Sequence, residues 1–302
     1  MAFIKNMHFN FTKYSKFYYI ISGILVVATI ICLFTFGLKF GIEFVGGSTM
    51  EIEFLDQRPA NNVIKDSLNN FDLGEIVVRP IGNTGAVLQF KGIDEATHQQ
   101  ILTELNNFSQ VSEKSFQYIG PSVGQELRNK TELAIVLALL SITIYIAFAF
   151  RKVSRPVASW KYGITSLVAL FHDVLVPVGV FSILGHFYNV EITIPIIAAL
   201  LTVLGFSVHD TIVIFDRIRE NIVRRGMGEF EDTVNESLNQ TLGRSLSTVF
   251  STLIVLIAIY FFGGETLKYF SLALIIGITS GAYSSICIAG PLLVSWYKKG
   301  AK

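Results

Sequence analysis

Three ionisable side chains sit where an apolar chain should have none. Asp173 follows His172, Asp210 follows His209, and Arg244 stands alone, each inside a long hydrophobic run. A charge in the core of a bilayer costs at least a few kcal/mol, so such residues need partners and mark ion or proton pathways. Burial disfavours the ionised form of an Asp and a nearby guanidinium favours it. A movable Arg244 would therefore switch Asp210 between holding and releasing a proton. A permanent ion pair that fixes helix packing is the competing reading, although buried pairs are weak evidence of stability. Asp173 is a second candidate for the relay. His172 and His209 are also candidates, against the plainer role of histidines satisfied inside a bundle. Ser207, Thr248 and Ser251 stand three residues before, and four and seven after, the charged residue on their own helix. They either line a hydrated route or bond to their own backbone.

No other chemistry is offered. Cys32 and Cys287 both lie in apolar runs, without CxxC or Cys/His spacing, and read as packing or lipid-facing residues. No nucleophile–base set, nucleotide loop or metal cluster stands out, so neither an enzyme nor a cofactor is expected. Gly46-Gly47-Ser48 has the composition of a phosphate cradle, but a strand rather than a helix follows it. It reads as a tight turn.

The elements that position these residues are membrane spans. The 302 residues are 51% hydrophobic and only 16% charged, with a net charge of +1 and a mean hydropathy of +0.54. A spanning helix needs about 20 apolar residues, and six stretches qualify: 17–38, 133–150, 162–185, 192–215, a run ending at Phe262, and 269–297. The first is too long for a signal-peptide core and has no small-residue cleavage site, so it reads as a retained span. Basic residues assign the sides. Lys5, Lys13 and Lys16 precede span one, and Arg151, Lys152, Arg155 and Lys161 follow span two. Arg217, Arg219, Arg224 and Arg225 follow span four, and Lys298, Lys299 and Lys302 follow span six. On the opposite side, the short loop 186–191 carries none and 263–268 only Lys268. Tails 1–16 and 298–302 are thus expected in the cytoplasm, with residues 132–297 forming spans two to six.

Depth follows from counting. Asp210 lies 18 residues into span four, and Arg244 lies 18 residues before the end of span five. At a rise of 1.5 Å per residue both fall about 27 Å below the outer surface, and Asp173 at roughly 17 Å. The acid and the guanidinium share a level, which is not yet proof that they touch.

Residues 39–131 are polar and patterned, and belong outside the cytoplasm. Met50, Ile52 and Phe54 alternate with acids as in a half-buried strand, and residues 60–71 carry apolar side chains at helical spacing. Two strands flank Gly82-Asn83-Thr84-Gly85 as a hairpin. A helix over 94–108 and a strand over 111–119 complete a βαββαβ order. That is the order of a ferredoxin-like split βαβ unit.

The run from Val203 to Asn221, with its Gly205-Phe206-Ser207-Val208-His209-Asp210-Thr211 core, resembles the SecF signature of the SecD/SecF family. Phe171-His172-Asp173, Gly41-Ile42-Glu43-Phe44-Val45-Gly46-Gly47-Ser48 and Gly120-Pro121-Ser122-Val123-Gly124-Gln125-Glu126-Leu127 agree with it. Glu43 and Ser48 stand where that family usually has Asp and Thr. The resemblance implies an RND-superfamily half of six spans with one external ferredoxin-like domain, in the bacterial plasma (inner) membrane. It implies a heterodimer with a SecD-like subunit, association with the SecYEG channel and YajC, and action after SecA. The proton-motive force would promote preprotein translocation, with protons the coupling ion and Asp210 and Arg244 the proton-transport residues. Half of a small-molecule RND exporter and an inert channel scaffold remain as alternatives. An exporter half would normally carry two large external loops, and this chain has one of modest size.

Overall fold

A computed structural model of the chain describes residues 8–149, 157–225 and 229–300. Of the basic residues used to assign sides, Lys5, Arg151, Lys152, Arg155 and Lys302 lie outside that set. The described residues divide into two compact units. The first takes in the described residues within 1–39, 134–190 and 195–302; the second takes in 40–133 together with 191–194.

Among the described residues, six helices are long and apolar enough to cross a membrane. These are α1 (Ser15–Phe36), α5 (Pro121–Ala149), α6 (Ser159–Tyr188), α7 (Ile194–Arg225), α8 (Phe230–Phe262) and a final helix interrupted near its middle. The interrupted helix runs as α9 (Glu265–Ser284), a π-helical turn (Ser285–Ala289) and α10 (Gly290–Gly300). Sequence periodicity reads it as one span, because a π turn leaves no compositional trace. Such turns occur frequently at functional sites. The buried face of the bundle is built by Tyr162, Leu170, Leu204, Val208, Phe215, Leu238, Leu242 and Ile286. Outward faces of α1, α5 and α8 keep large apolar side chains such as Phe34, Ile144 and Ile254 exposed, as lipid-facing helices do.

Glycines set the tightest approach. A Cβ on Gly277 of α9 would overlap Val203 of α7, and one on Gly281 would press within 3.1 Å of Ser207 Cβ. The Gly277/Gly281 pair thus brings α9 against α7 at the level of Ser207.

The basic segment after span four is helix rather than loop. α7 runs on past Phe215 to Arg225, held by Arg217–Glu220 (2.5 Å) and Arg224–Glu220 (2.9 Å) pairs at helical spacing. Asn221 donates to Ser237 Oγ at 2.8 Å and ties this extension to the polar start of α8. Asn235 and Asn239 accept the backbone N–H groups of Phe11 and Phe9, both at 2.8 Å.

The second unit carries the short helix α2 (Ile42–Val45), β1 (Gly47–Phe54), α3 (Asn61–Ser67), β2 (Val77–Ile81), β3 (Gly85–Phe90), α4 (Glu95–Phe108) and β4 (Val111–Ile119). The sheet order is β2-β3-β1-β4 with antiparallel neighbours, the βαββαβ arrangement expected. Met50, Ile52, Phe54 and Leu88 from the sheet meet Ile64, Leu68, Ile101 and Leu105 from the helices to form its core. The Gly46-Gly47 turn is a backbone requirement: φ is +79° and +136°, and a Cβ on Gly47 would sit 2.9 Å from Phe90 O. One feature escaped the sequence. The connection between α6 and α7 belongs to this unit, where Gly41 N–H donates to Ile192 O at 2.9 Å and Glu191 pairs with Arg79.

Candidate functional site

Asp173 projects from the middle of α6 and is 0% exposed. Its Oδ2 accepts from Ser207 of α7 at 2.5 Å and from Ser284 of α9 at 2.6 Å. Its Oδ1 accepts from Ser280 of α9 at 3.2 Å and lies 3.1 Å from His172 Nδ1. One carboxylate thus joins three helices. The close α7–α9 contact at Gly277 and Gly281 is what lets hydroxyls from both reach it. Ser280 and Ser284 were not singled out from the sequence, since a serine in an apolar helix carries no directional signal.

Asp210 lies on α7, 9% exposed, and accepts from Ser245 of α8 at 2.6 Å. The neighbouring Thr211 and Ser285, at the start of the π turn, share a hydroxyl–hydroxyl bond of 2.9 Å. Arg244 and His209 lie within electrostatic range of Asp210, as does Asp173. The permanent Asp210–Arg244 ion pair of the competing reading is not formed. Arg244 is exposed on the outward side of α8 and, among the described residues, makes no ion pair; the residue bonded to Asp210 is its neighbour Ser245. Counting residues along an axis fixes height and leaves the angle around the helix free, and successive residues differ by about 100°. His209 is exposed as well, whereas His172 is buried.

The polar residues near the charges resolve into two kinds. Ser207 bonds to Asp173. Thr248 and Ser251 donate to the carbonyls of Arg244 and Ser247, four residues back, at 3.0 and 2.8 Å. All three of Arg244, Thr248 and Ser251 nevertheless share an exposed polar stripe on α8. Among the described residues no cluster of His, Cys, Asp or Glu has the make-up of a metal site, and both cysteines are free. The arrangement offers two enclosed carboxylates, hydroxyl donors from four helix segments and an uncovered cation.

Away from the bundle, Glu43 of the Gly41–Ser48 stretch lies near Arg79 and Glu191 in the second unit. Burial pushes its carboxyl above the ordinary range; the like charge of Glu191 adds to this and Arg79 opposes it.

Residues 98–299 match the family described as protein export membrane protein SecD/SecF, C-terminal, and residues 33–54 match the SecD/SecF GG motif. A protein named protein translocase subunit SecF from Thermobaculum terrenum is 45% identical over 298 residues, covering 93% of this chain and 92% of its own. One of the same name from Vibrio alginolyticus is 35% identical over 290 residues, covering 93% and 88%. Among solved structures, SecDF from Thermus, described as a translocon-associated membrane protein, superposes with a TM-score of 0.86 at 29% identity. That match covers 97% of this chain and 39% of the SecDF chain, so this chain spans about two fifths of it. A second form of SecDF, termed super-membrane-facing, gives 0.71.

Proposed function

The chain belongs to the SecD/SecF family of protein-export membrane proteins, and on that premise we propose that it couples proton movement to preprotein translocation together with a SecD-like subunit. It is a multi-pass bacterial membrane protein and a subunit of the Sec export machinery. The observation that carries the proton-coupled reading is a pair of carboxylates enclosed in the bundle, Asp173 and Asp210, with a guanidinium nearby that is not committed to either. A permanent structural pair would have its cation docked. An undocked Arg244 within electrostatic range of Asp210 suits a switch in which proton binding and Arg244 approach alternate. His209 is exposed beside Asp210, and the buried His172–Asp173 pair supplies a second acid within electrostatic range of Asp210. One elementary charge crossing the membrane potential is worth about 2.3 kcal/mol per 100 mV, sufficient to bias a two-state element.

The partner reading rests on the same face. Arg244, Thr248 and Ser251 form an exposed polar stripe leading into the apolar half of α8, an arrangement unsuited to lipid. A homologous SecD-like half covering it would restore polar contacts, in line with the relatives in which SecD and SecF share one chain. Both termini facing the cytoplasm, association with SecYEG and YajC, and action after SecA complete the reading, with protons as the coupling ion.

The test is preprotein release from inverted membrane vesicles carrying the chain with its SecD-like partner, with and without a proton gradient. Asp210→Asn and Arg244→Met should assemble and lose the gradient response. Arg244→Lys should keep part of it, because the charge survives without the guanidinium fork. Full gradient response in Asp210→Asn at matched protein level would leave the ion-pair or scaffold role instead.

A further inference from the structure

The His172–Asp173 pair has a polarity that decides which member takes the proton. An ionised carboxylate has about four acceptor positions, and Asp173 has four donors in place: Ser207 and Ser284 on Oδ2, Ser280 and His172 Nδ1 on Oδ1. A proton arriving on Asp173 would have to displace one of them. His172 is different. It is 4% exposed, and among the described residues its Nε2 has no hydrogen-bond partner. Because a carboxylate only accepts, the contact to Asp173 places the N–H on Nδ1. A neutral imidazole has one N–H, so Nε2 keeps a bare lone pair. Ser280 Oγ, 3.3 Å from Nδ1, then gives its single proton to Asp173 rather than to the ring. An unmet buried acceptor costs about 1–3 kcal/mol, and such orphans in native structures call for an explanation in function.

We propose that His172 Nε2 is the proton-accepting atom at this level of the bundle, and that Asp173, clamped by Ser207, Ser280 and Ser284, is the positioning residue that fixes its tautomer and supplies the counter-charge. On uptake, one proton binds the Nε2 lone pair to give an imidazolium; on release that same N–H bond breaks, while Nδ1–H stays on Asp173 throughout. The titratable groups around the ring are Asp173 on its own helix and Tyr283 from α9, whose ring centroid is 5.9 Å away, and Asp210 of α7 is within electrostatic range of Asp173. The Tyr283 hydroxyl is already engaged by Ser22 and by Tyr18 O of α1. This assignment rests on the proton-coupled reading above and names the atom that reading leaves open.

His172→Asn separates the two functions of the ring, because the amide N–H2 can replace Nδ1–H against Asp173 while nothing replaces Nε2. In vesicles with the SecD-like partner, gradient-dependent release should fall by about a hundredfold or more in this variant, the lower end of the range for losing a positioned proton acceptor. The second measurement needs no altered pathway: ¹⁵N NMR of the histidine-labelled complex, with the His172 signals assigned by their loss in His172→Asn. They should report the Nδ1–H tautomer at high pH and a doubly protonated ring as pH falls. An Nε2–H tautomer, an unchanging ring, or full gradient response in His172→Asn overturns the assignment. Asp210→Asn run in parallel separates the two levels: if it loses the response while His172→Asn keeps it, only the His172 assignment fails, and if it too keeps the response, the proton-coupled reading fails with it.

Discussion

Replacing Asp173 by Asn should loosen the bundle far more than the same change at Asp210, and the difference can be worked from the donors each acid holds. Asp173 accepts from three serines and one histidine. An Asn in its place offers one carbonyl oxygen and two N–H donors, so two of the four donors face donors. Ser284 has a substitute acceptor in Gly281 O, already 3.2 Å away, which leaves about one buried donor stranded. At about 1–3 kcal/mol for an unmet buried group, Asp173→Asn should cost about 2 kcal/mol, roughly thirtyfold in the unfolding equilibrium. Asp210 holds one donor, Ser245, which an Asn carbonyl can still accept, so Asp210→Asn should be close to neutral. Reversible unfolding of the purified complex in one lipid environment, read for both variants, supplies the comparison. Equal destabilisation by the two changes would refute the reasoning, since hydrogen-bond number would then have no bearing on the anchoring of α6, α7 and α9.

Three further outcomes follow from other contacts. Gly277→Val has no room against Val203; overpacking of about 1–3 kcal/mol should push α9 from α7, seen as weaker cross-linking between cysteines placed along the two helices. Glu43 is held above its ordinary value of 4.5 chiefly by burial, so the folded second unit favours its protonated form: that contribution is complete below about pH 4.5 and is lost as pH climbs through the raised value. Amide exchange over residues 40–133 of the full chain should therefore speed up across that rise, and Glu43→Gln should flatten the dependence. Arg79→Gln leaves Glu191 and Glu43 without their cation and should accelerate exchange at 191–194 by about tenfold, from the loss of a partly buried pair worth about 1–2 kcal/mol.

Much of this architecture is legible in the residues, and the gaps have physical causes. Alternation at Met50, Ile52 and Phe54 and the period of Ile101, Leu102 and Leu105 gave the βαββαβ order, because burial on one face imposes a repeat. The spans announce themselves by length and apolarity. The cage around Asp173 does not, since Ser280 and Ser284 acquire a meaning only when Gly277 and Gly281 let α9 approach α7. Arithmetic along α8 puts Arg244 level with Asp210, in keeping with the bond from its neighbour Ser245 to that acid, yet its outward direction depends on helix rotation, which packing decides. The π turn at Ser285–Ala289 and the docking of residues 191–194 against the second unit are tertiary outcomes with no local pattern. The arginines after Phe215 illustrate the reverse case: they follow the apolar run, yet Glu220 at helical spacing from Arg217 and Arg224 extends α7 through them.

Proton coupling at Asp210 can be read directly from proton flux. With the chain and its SecD-like partner in vesicles containing a pH-sensitive dye, an imposed gradient should drive a proton leak that rises with engaged preprotein, and Asp210→Asn should abolish that rise while the complex stays assembled. A preprotein-dependent proton flux undiminished in Asp210→Asn would show that the buried acid carries no protons.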